Sequence, residues 1–246
     1  MVEKLVLEKP SLLIDVGNSS IKSVFYQSQP IISEGIQRFH TVNDLQQQIE
    51  ASRQVLLSNV GENEITASLQ RSCNDLKRPL FIAQSKVSEF GLTNVYANPS
   101  NMGVDRWLAM LACMQRSKDK TLLIADIGTA MTIDAVVDGN HIGGWITPGL
   151  KLLRESLFKN TQRVFGDDTQ LNSLEFGNDT PLCVDHGCRA QIIGTFLMAE
   201  NKMRKKVNKF DIFITGGNKN IISEYQKNNI IECENLVLEG LTLFVD

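Results

Sequence analysis

The chain has 246 residues, of which 42% are apolar and 22% charged, with a net charge of −3. It is long enough to bury one or two cores without a metal or disulfide staple, and too evenly mixed for a disordered protein. The mild acidity, with no basic block beyond Lys202–Lys206 at the polar end of a helical pattern, does not suggest a nucleic-acid binder. Five cysteines, Cys73, Cys113, Cys183, Cys188 and Cys233, are odd in number and irregularly spaced, as expected of reduced thiols in a cytoplasmic protein. Cys183, His186 and Cys188 lie close together, but no second ligand pair accompanies them as a zinc site would require. Residues 1–10 carry charges and Pro10 where a signal peptide needs an apolar core, and no run approaches membrane-spanning length. A soluble, untargeted protein with no membrane segment is expected.

The first informative stretch is Asp15, Val16, Gly17, Asn18, Ser19, Ser20, Ile21 and Lys22. It follows the apolar run Ser11–Ile14 and leads into Ser23–Tyr26, whose β-branched and aromatic residues favour a second strand. Strands joined this tightly form a hairpin, with Gly17 and Asn18 expected at the positive φ of the turn. Backbone N–H groups, two hydroxyls and Lys22 can face an anion there. Asp15 repels that anion unless a cation lies between them, which is what a Mg2+-nucleotide supplies. The alternative is an ordinary hairpin with an exposed lysine. Next, 30–33 and 36–39 extend an antiparallel meander, and Thr41 with Asp44 opens a short helix through Leu45 and Ile49. Val55–Ser58 is a buried strand ending at Asn59–Gly61, where an open α/β sheet faces its ligands. A helix over 62–76 and a strand at Pro79–Ile82 complete an α/β first half with antiparallel members.

A loop from Tyr96 through Pro99 and Gly103 opens a helix with Asp105 and Arg106 in its first turn. The helix dipole favours an Asp there and disfavours an Arg, so Arg106 reads either as a plain surface charge or as a bidentate partner for a carboxylate ligand. The second half then repeats the opening: Leu122–Ala125, Asp126-Ile127-Gly128-Thr129-Ala130, then β-rich 131–137. A repeat at half the chain length predicts two related domains facing each other across a cleft. Asp138-Gly139 marks a hairpin, and Gly143-Gly144 a bulge or a close backbone contact. A helix over 150–158, a polar loop over 161–180, a long helix over 184–204 with Gly187 and Gly194 allowing close packing, and a strand over 210–214 follow. That last strand delivers Thr215-Gly216-Gly217, either a plain turn or a bulk-free seat for a nucleotide. The apolar stretch 236–244 packs rather than frays.

The P-loop and the Gly-x-Gly-x-x-Gly fingerprint are both absent. Instead the two Asp-x-Gly hairpins and the late Gly-Gly turn resemble the superfamily of acetate and sugar kinases, chaperone ATPases and actin. Asp15–Lys22, Gly103–Arg106, Asp126–Asp134, Gly143–Gly149 and Thr215–Gly217 are similar, in order, to the motifs of type III pantothenate kinases. The resemblance spans nearly the whole chain. It implies an α/β fold of two ribonuclease-H-like domains, 1–117 and 118–246, each a mixed sheet with flanking helices, around a central cleft. It implies ATP-dependent phosphorylation of pantothenate, with Mg2+ and a monovalent cation, K+ or NH4+, in a homodimer. By the same resemblance Asp105 is the base, Arg106 binds the carboxylate of pantothenate, and Gly103, Val104, Tyr96 and Thr180 line its pocket, Thr180 from across the dimer. Residues 15–22, Thr129, Gly216 and Gly217 hold ATP, Asp15 acts on Mg2+ through water, and Asp126 binds the monovalent cation. Ser19 stands where the family usually has Thr, and the hydroxyl is kept. Relatives labelled as transcriptional accessory factors leave a non-catalytic regulatory protein, or another kinase of the superfamily, as alternatives.

Overall fold

A computed structural model describes residues 9–245 apart from 18, 19, 29, 32, 62, 167–172, 227 and 228. Strands β1 (Ser11–Val16), β2 (Ile21–Tyr26), β3 (Gln37–Phe39), β4 (Gln54–Asn59) and β5 (Leu80–Ile82) form one sheet, ordered β3-β2-β1-β4-β5. β3, β2 and β1 are antiparallel neighbours, and β1, β4 and β5 run parallel. β1 is buried along its whole length, which is why it reads as a continuous apolar run broken only near its end by Asp15. Leu12, Ile14 and Val16 enter a core with Val55, Leu57, Ile49 of α1 (Gln46–Ala51), and Leu69 and Cys73 of α2 (Asn63–Asp75). Leu13 and Leu56 point the other way. The expected helix start at Thr41 is modified: Asp44 accepts from both the Thr41 N–H and its hydroxyl, a 3-10 turn spans Asn43–Leu45, and the α-helix begins at Gln46. The expected strand at 30–33 is also corrected, because Ser33–Gly35 is a 3-10 turn and pairing resumes only at Gln37; residue 32 lies outside the described residues.

The second sheet holds β6 (Ser88–Glu89), β7 (Leu92–Thr93), β8 (Leu122–Ile127), β9 (Ala130–Val137), β10 (Asn140–Pro148), β11 (Asp211–Thr215) and β12 (Ile230–Glu232), ordered β12-β11-β8-β9-β10-β7-β6. Stripped of its β6–β7 edge, this order is that of the first sheet: an antiparallel three-strand meander whose first strand has a parallel strand on its other side and a second parallel strand beyond that. The turn Asp138-Gly139 has both residues at positive φ, as a two-residue type I′ hairpin requires. The register slips between His141 and Gly143, with Gly143 at φ +125, so the expected bulge is present. One face of β8, β9 and β11 packs on α4 (Leu150–Asn160) and α5 (Thr180–Arg204) through Leu123, Ile133, Ile214, Leu153, Ile192 and Phe196. α5 starts at Thr180, four residues before the expected point, because Asp179 caps it by accepting from the Leu182 N–H and Pro181 is tolerated in a first turn. A Cβ on Gly187 or Gly194 would touch nothing, so in this chain those glycines face open space instead of a packed helix.

Two compact units interleave along the sequence. One comprises residues up to Val87, Tyr96–Ala112 and Glu234 onward; the other comprises Ser88–Val95 and Cys113–Cys233. Helix α3 (Val104–Arg116) begins in the first, where Val104 and Leu108 join Leu13 and Leu56. The short α6 (Asn220–Ser223) closes the second, and α7 (Leu236–Leu241) returns to the first, placing Val237, Leu238 and Leu241 in that same core.

Candidate active site

In the first unit the strand register settles which side chains share a face. Leu13 and Leu56 enter the α3 core while Leu12, Ile14, Val16, Val55 and Leu57 enter the other, so Asp15 and Ser58 lie on the α3 side by alternation. Asp15 pairs across the sheet with Lys22 on β2 and with Ser58 on β4, giving a three-strand row Lys22–Asp15–Ser58. Lys22 Nζ is 3.9 Å from Asp15 Oδ2, with the carboxylate buried and the ammonium partly exposed. A pair so long contributes at most about 1 kcal/mol to stability. Val16 and Ile21 bury their side chains in the core, so only their backbone can meet a ligand. The turn closes through the Gly17 N–H donating to the Ser20 carbonyl at 3.2 Å. Gly17 does not take the positive φ expected of it, because the connection spans four residues and is not a tight two-residue loop. Asn18 and Ser19 lie outside the described residues.

The start of α3 collects a second group in the same unit. Asp105 folds its carboxylate back along the helix entrance, where Oδ1 accepts from the Arg106 N–H at 2.8 Å. A Cβ on residue 103 would stand 2.5 Å from that oxygen, so Gly103 is needed for the carboxylate to sit there. Arg106 is 6% exposed; its Nη1 donates to the Tyr96 hydroxyl at 3.0 Å and its guanidinium lies 5.9 Å from the centre of the Tyr96 ring. The structure thus brings Tyr96, Gly103, Asp105 and Arg106 together, with Val104 anchoring the turn in the core.

In the second unit three loops meet at the ends of β8, β10 and β11. Asp126 pairs with Thr132 on β9 and with Thr215 on β11. The Gly149 N–H donates to the Thr129 carbonyl at 2.9 Å, and the Asn218 N–H to the Ile127 carbonyl at 3.0 Å. A Cβ on residue 149 would collide with the Gly128 and Thr129 carbonyls. Gly216, at φ +95, lies so close that a Cβ would be 2.5 Å from both Asp126 Oδ1 and the Ile127 carbonyl. Backbone therefore packs on backbone here, leaving Thr129 and Gly217 exposed at the surface of a knot of main-chain groups. Thr180 stands apart from this knot, lining a cavity of about 570 Å3 with Leu157, Val164, Cys183, Val184 and Gln191.

Two buried polar clusters had no marker in the sequence motifs. His141 Nε2 lies 2.9 Å from Asp134 Oδ1, linking β9 to β10 beside the bulge. Asp185 accepts from Arg189 Nε at 2.8 Å, with Arg154 Nη1 of α4 at 3.6 Å. The Asp185–Arg189 spacing of four was a visible helix signal; Arg154 carried none. Burial, reinforced by Asp185 and opposed by Arg154, pushes the Cys188 thiol up. His186 Nδ1 is bonded to the Glu175 carbonyl at 2.6 Å, and among the described residues no three His, Cys, Asp or Glu side chains are grouped to hold a metal. No helix among them is long and apolar enough to cross a membrane.

Comparisons with known proteins bear on the family and the fold. Residues 11–199 match the family model of type III pantothenate kinase. The chain is 39% identical over 237 residues to a type III pantothenate kinase of Pseudoalteromonas atlantica, covering 94% of this chain and 95% of that one. It is 33% identical to one of Pseudoalteromonas translucida, covering 96% of each. Among solved structures, a Campylobacter jejuni protein described as a Baf family transcriptional activator superposes with TM-score 0.62 at 19% identity, covering 94% of this chain and 96% of that one. A ROK hexokinase from Thermus thermophilus superposes with TM-score 0.51 at 12% identity, over 95% and 97%. At those identities the structures speak for the fold alone: two mixed sheets with flanking helices, of the kind shared by sugar kinases. The sequence matches carry more, and by them the chain belongs to the type III pantothenate kinase family.

Proposed function

We propose that this chain transfers the γ-phosphoryl group of ATP to the primary hydroxyl of pantothenate, giving 4′-phosphopantothenate on the route to coenzyme A. The observation that carries the acceptor side is the α3 entrance: a buried guanidinium, held by Tyr96, one residue from a carboxylate at the helix mouth. Arg106 suits the carboxylate of pantothenate, because a planar fork matches a carboxylate bidentately. Asp105 orients the hydroxyl and accepts its proton. Proton removal comes late in a loose phosphoryl-transfer transition state, so orientation is the larger part of its task. Gly103, Val104 and Tyr96 shape that pocket, and Thr180 completes it from a second subunit.

Residues 15–22, Thr129, Gly216 and Gly217 hold the nucleotide, mainly through backbone N–H groups and Lys22. A divalent cation fits unit 1 as a hydrated Mg2+ leaning on one carboxylate, Asp15, rather than as an ion in a protein cage. Mg2+, when bound, neutralises phosphate charge. Asp126, whose carboxylate lies against Gly216, is the ligand for K+ or NH4+. Homodimerisation is supported by the outward face of α5, where Cys183, Gly187, Gln191, Gly194 and Met198 recur at helical spacing and stay exposed. Mixing the protein with ATP, Mg2+, K+ and pantothenate should release ADP only when pantothenate is present. ADP release that ignores pantothenate sinks the assignment. Replacing K+ with Na+ tests the monovalent site, and light scattering tests the dimer.

A further inference from the structure

We propose that Ser58 is a positioning residue for the divalent cation, orienting a water of its shell beside Asp15. This rests on the kinase reading given above. Two independent observations carry it. First, Ser58 is 0% exposed and its Oγ has no hydrogen-bond partner among the described residues. A hydroxyl offers one donor and two acceptor sites, and leaving all of them buried and unmet costs free energy that folding alone gives no reason to bear. The cost is understandable if a polar group arrives with the ligand. Ser58 sits next to Asp15 across the parallel β1–β4 ladder, where neighbouring strands are about 4.8 Å apart. A water held by a cation at Asp15 is therefore within reach of the hydroxyl.

Second, the two sheets share one strand order, and their registers equate specific positions. Asp15 is the fifth of six residues in β1, and Asp126 is the fifth of six in β8. The residue paired with Asp15 on the parallel neighbour is Ser58; the residue paired with Asp126 on its parallel neighbour is Thr215. Each hairpin acid thus has a buried hydroxyl at the same place, and in the second unit that hydroxyl opens the Thr-Gly-Gly turn assigned to the nucleotide. A chance core serine explains neither the repetition nor the missing partner.

The test uses the full-length protein with Mn2+ as the probe, read by electron paramagnetic resonance in the presence of ADP. Ser58→Ala should bind Mn2+ about ten-fold more weakly, the usual effect of losing an outer-shell hydrogen bond, and Ser58→Thr should stay within about two-fold of the wild type. In turnover, the Mg2+ activation constant of Ser58→Ala should rise by the same factor while the KM for pantothenate stays put. Its Tm without ligands should equal or exceed that of the wild type, because the orphaned hydroxyl is gone. Unchanged Mn2+ affinity in Ser58→Ala overturns the proposal, as does a lowered Tm in both variants or a rise confined to the KM for pantothenate. Absence of Mn2+ binding by the wild type with ADP also overturns it. Failure of the wild type to phosphorylate pantothenate would refute the kinase reading, and the Mn2+ titration would still decide the role of Ser58.

Discussion

The two hairpins occupy equivalent places in equivalent sheets and are furnished differently. In the first unit Asp15 faces Lys22 across the ladder, and a second charged pair of residues, Asp105 and Arg106, stands at the helix that packs on the same face. In the second unit the position facing Asp126 is the neutral Thr132, and the surrounding loops are glycines whose main chains touch. The same topology has thus been given charge on one side and bare backbone on the other. Of the charged side chains, Lys22 and Asp15 suit phosphates and their cation, whereas Asp105 and Arg106 suit a reacting hydroxyl and a carboxylate, where protonation and bidentate geometry matter. Packed main chain suits a polyphosphate or ribose, which needs donors at close approach and no bulk.

This contrast can be broken in graded ways. The largest effect is expected from Asp105→Asn, which should lower kcat by about 10²–10⁴ with little change in ATP affinity, measured by coupled ADP assay and nucleotide titration. Arg106→Ala should raise the KM for pantothenate by about 10–100-fold, the usual worth of a hydrogen bond to a charged group, and leave kcat nearly intact. Equal losses of kcat and KM in both variants would contradict the division of labour. On the backbone side, Gly216→Ala places a side chain at φ +95 against Asp126 and Ile127 and should cost about 1–3 kcal/mol of stability together with a raised KM for ATP. Calorimetry and kinetics on one sample would check both. Lys22→Ala should raise the KM for ATP by roughly ten-fold, whereas Thr132→Val, at the matching place in the second hairpin, should change it by less than about two-fold. If Thr132→Val proves the more damaging, the two hairpins have been assigned the wrong way round. The smallest effect concerns thiols: a maleimide at pH 7 should label exposed Cys183 and spare Cys188 and Cys73, whose thiols burial pushes up, with native mass spectrometry as the readout.

Much of this was legible from residue order. The apolar runs of β1, β4 and β8 announced strands, that of β4 a buried one, and Asp138-Gly139 announced its hairpin. Other features were not. Gly17 looked like a tight-turn glycine, yet it does not itself take a positive φ. Gly187 and Gly194 looked like packing glycines but border open space. Ser58 passed as the last residue of an ordinary strand, because whether a buried hydroxyl has a partner depends on neighbours far away in sequence.

By itself the amino-acid order determined the repeated strand-turn-strand units, the helix carrying Asp105 and Arg106, and through them the family. These are local matters, set by hydrophobic period, turn chemistry and short motifs. Tertiary structure alone decided that Leu236–Leu241 leaves the second unit to fill the core of the first, that Arg154 reaches Asp185, and that Ser58 and Thr215 stand in matching places beside the two hairpin acids. The reason is physical: each of these contacts joins residues tens to hundreds of positions apart, and which distant groups meet is fixed by strand register and core packing rather than by any run of neighbouring residues.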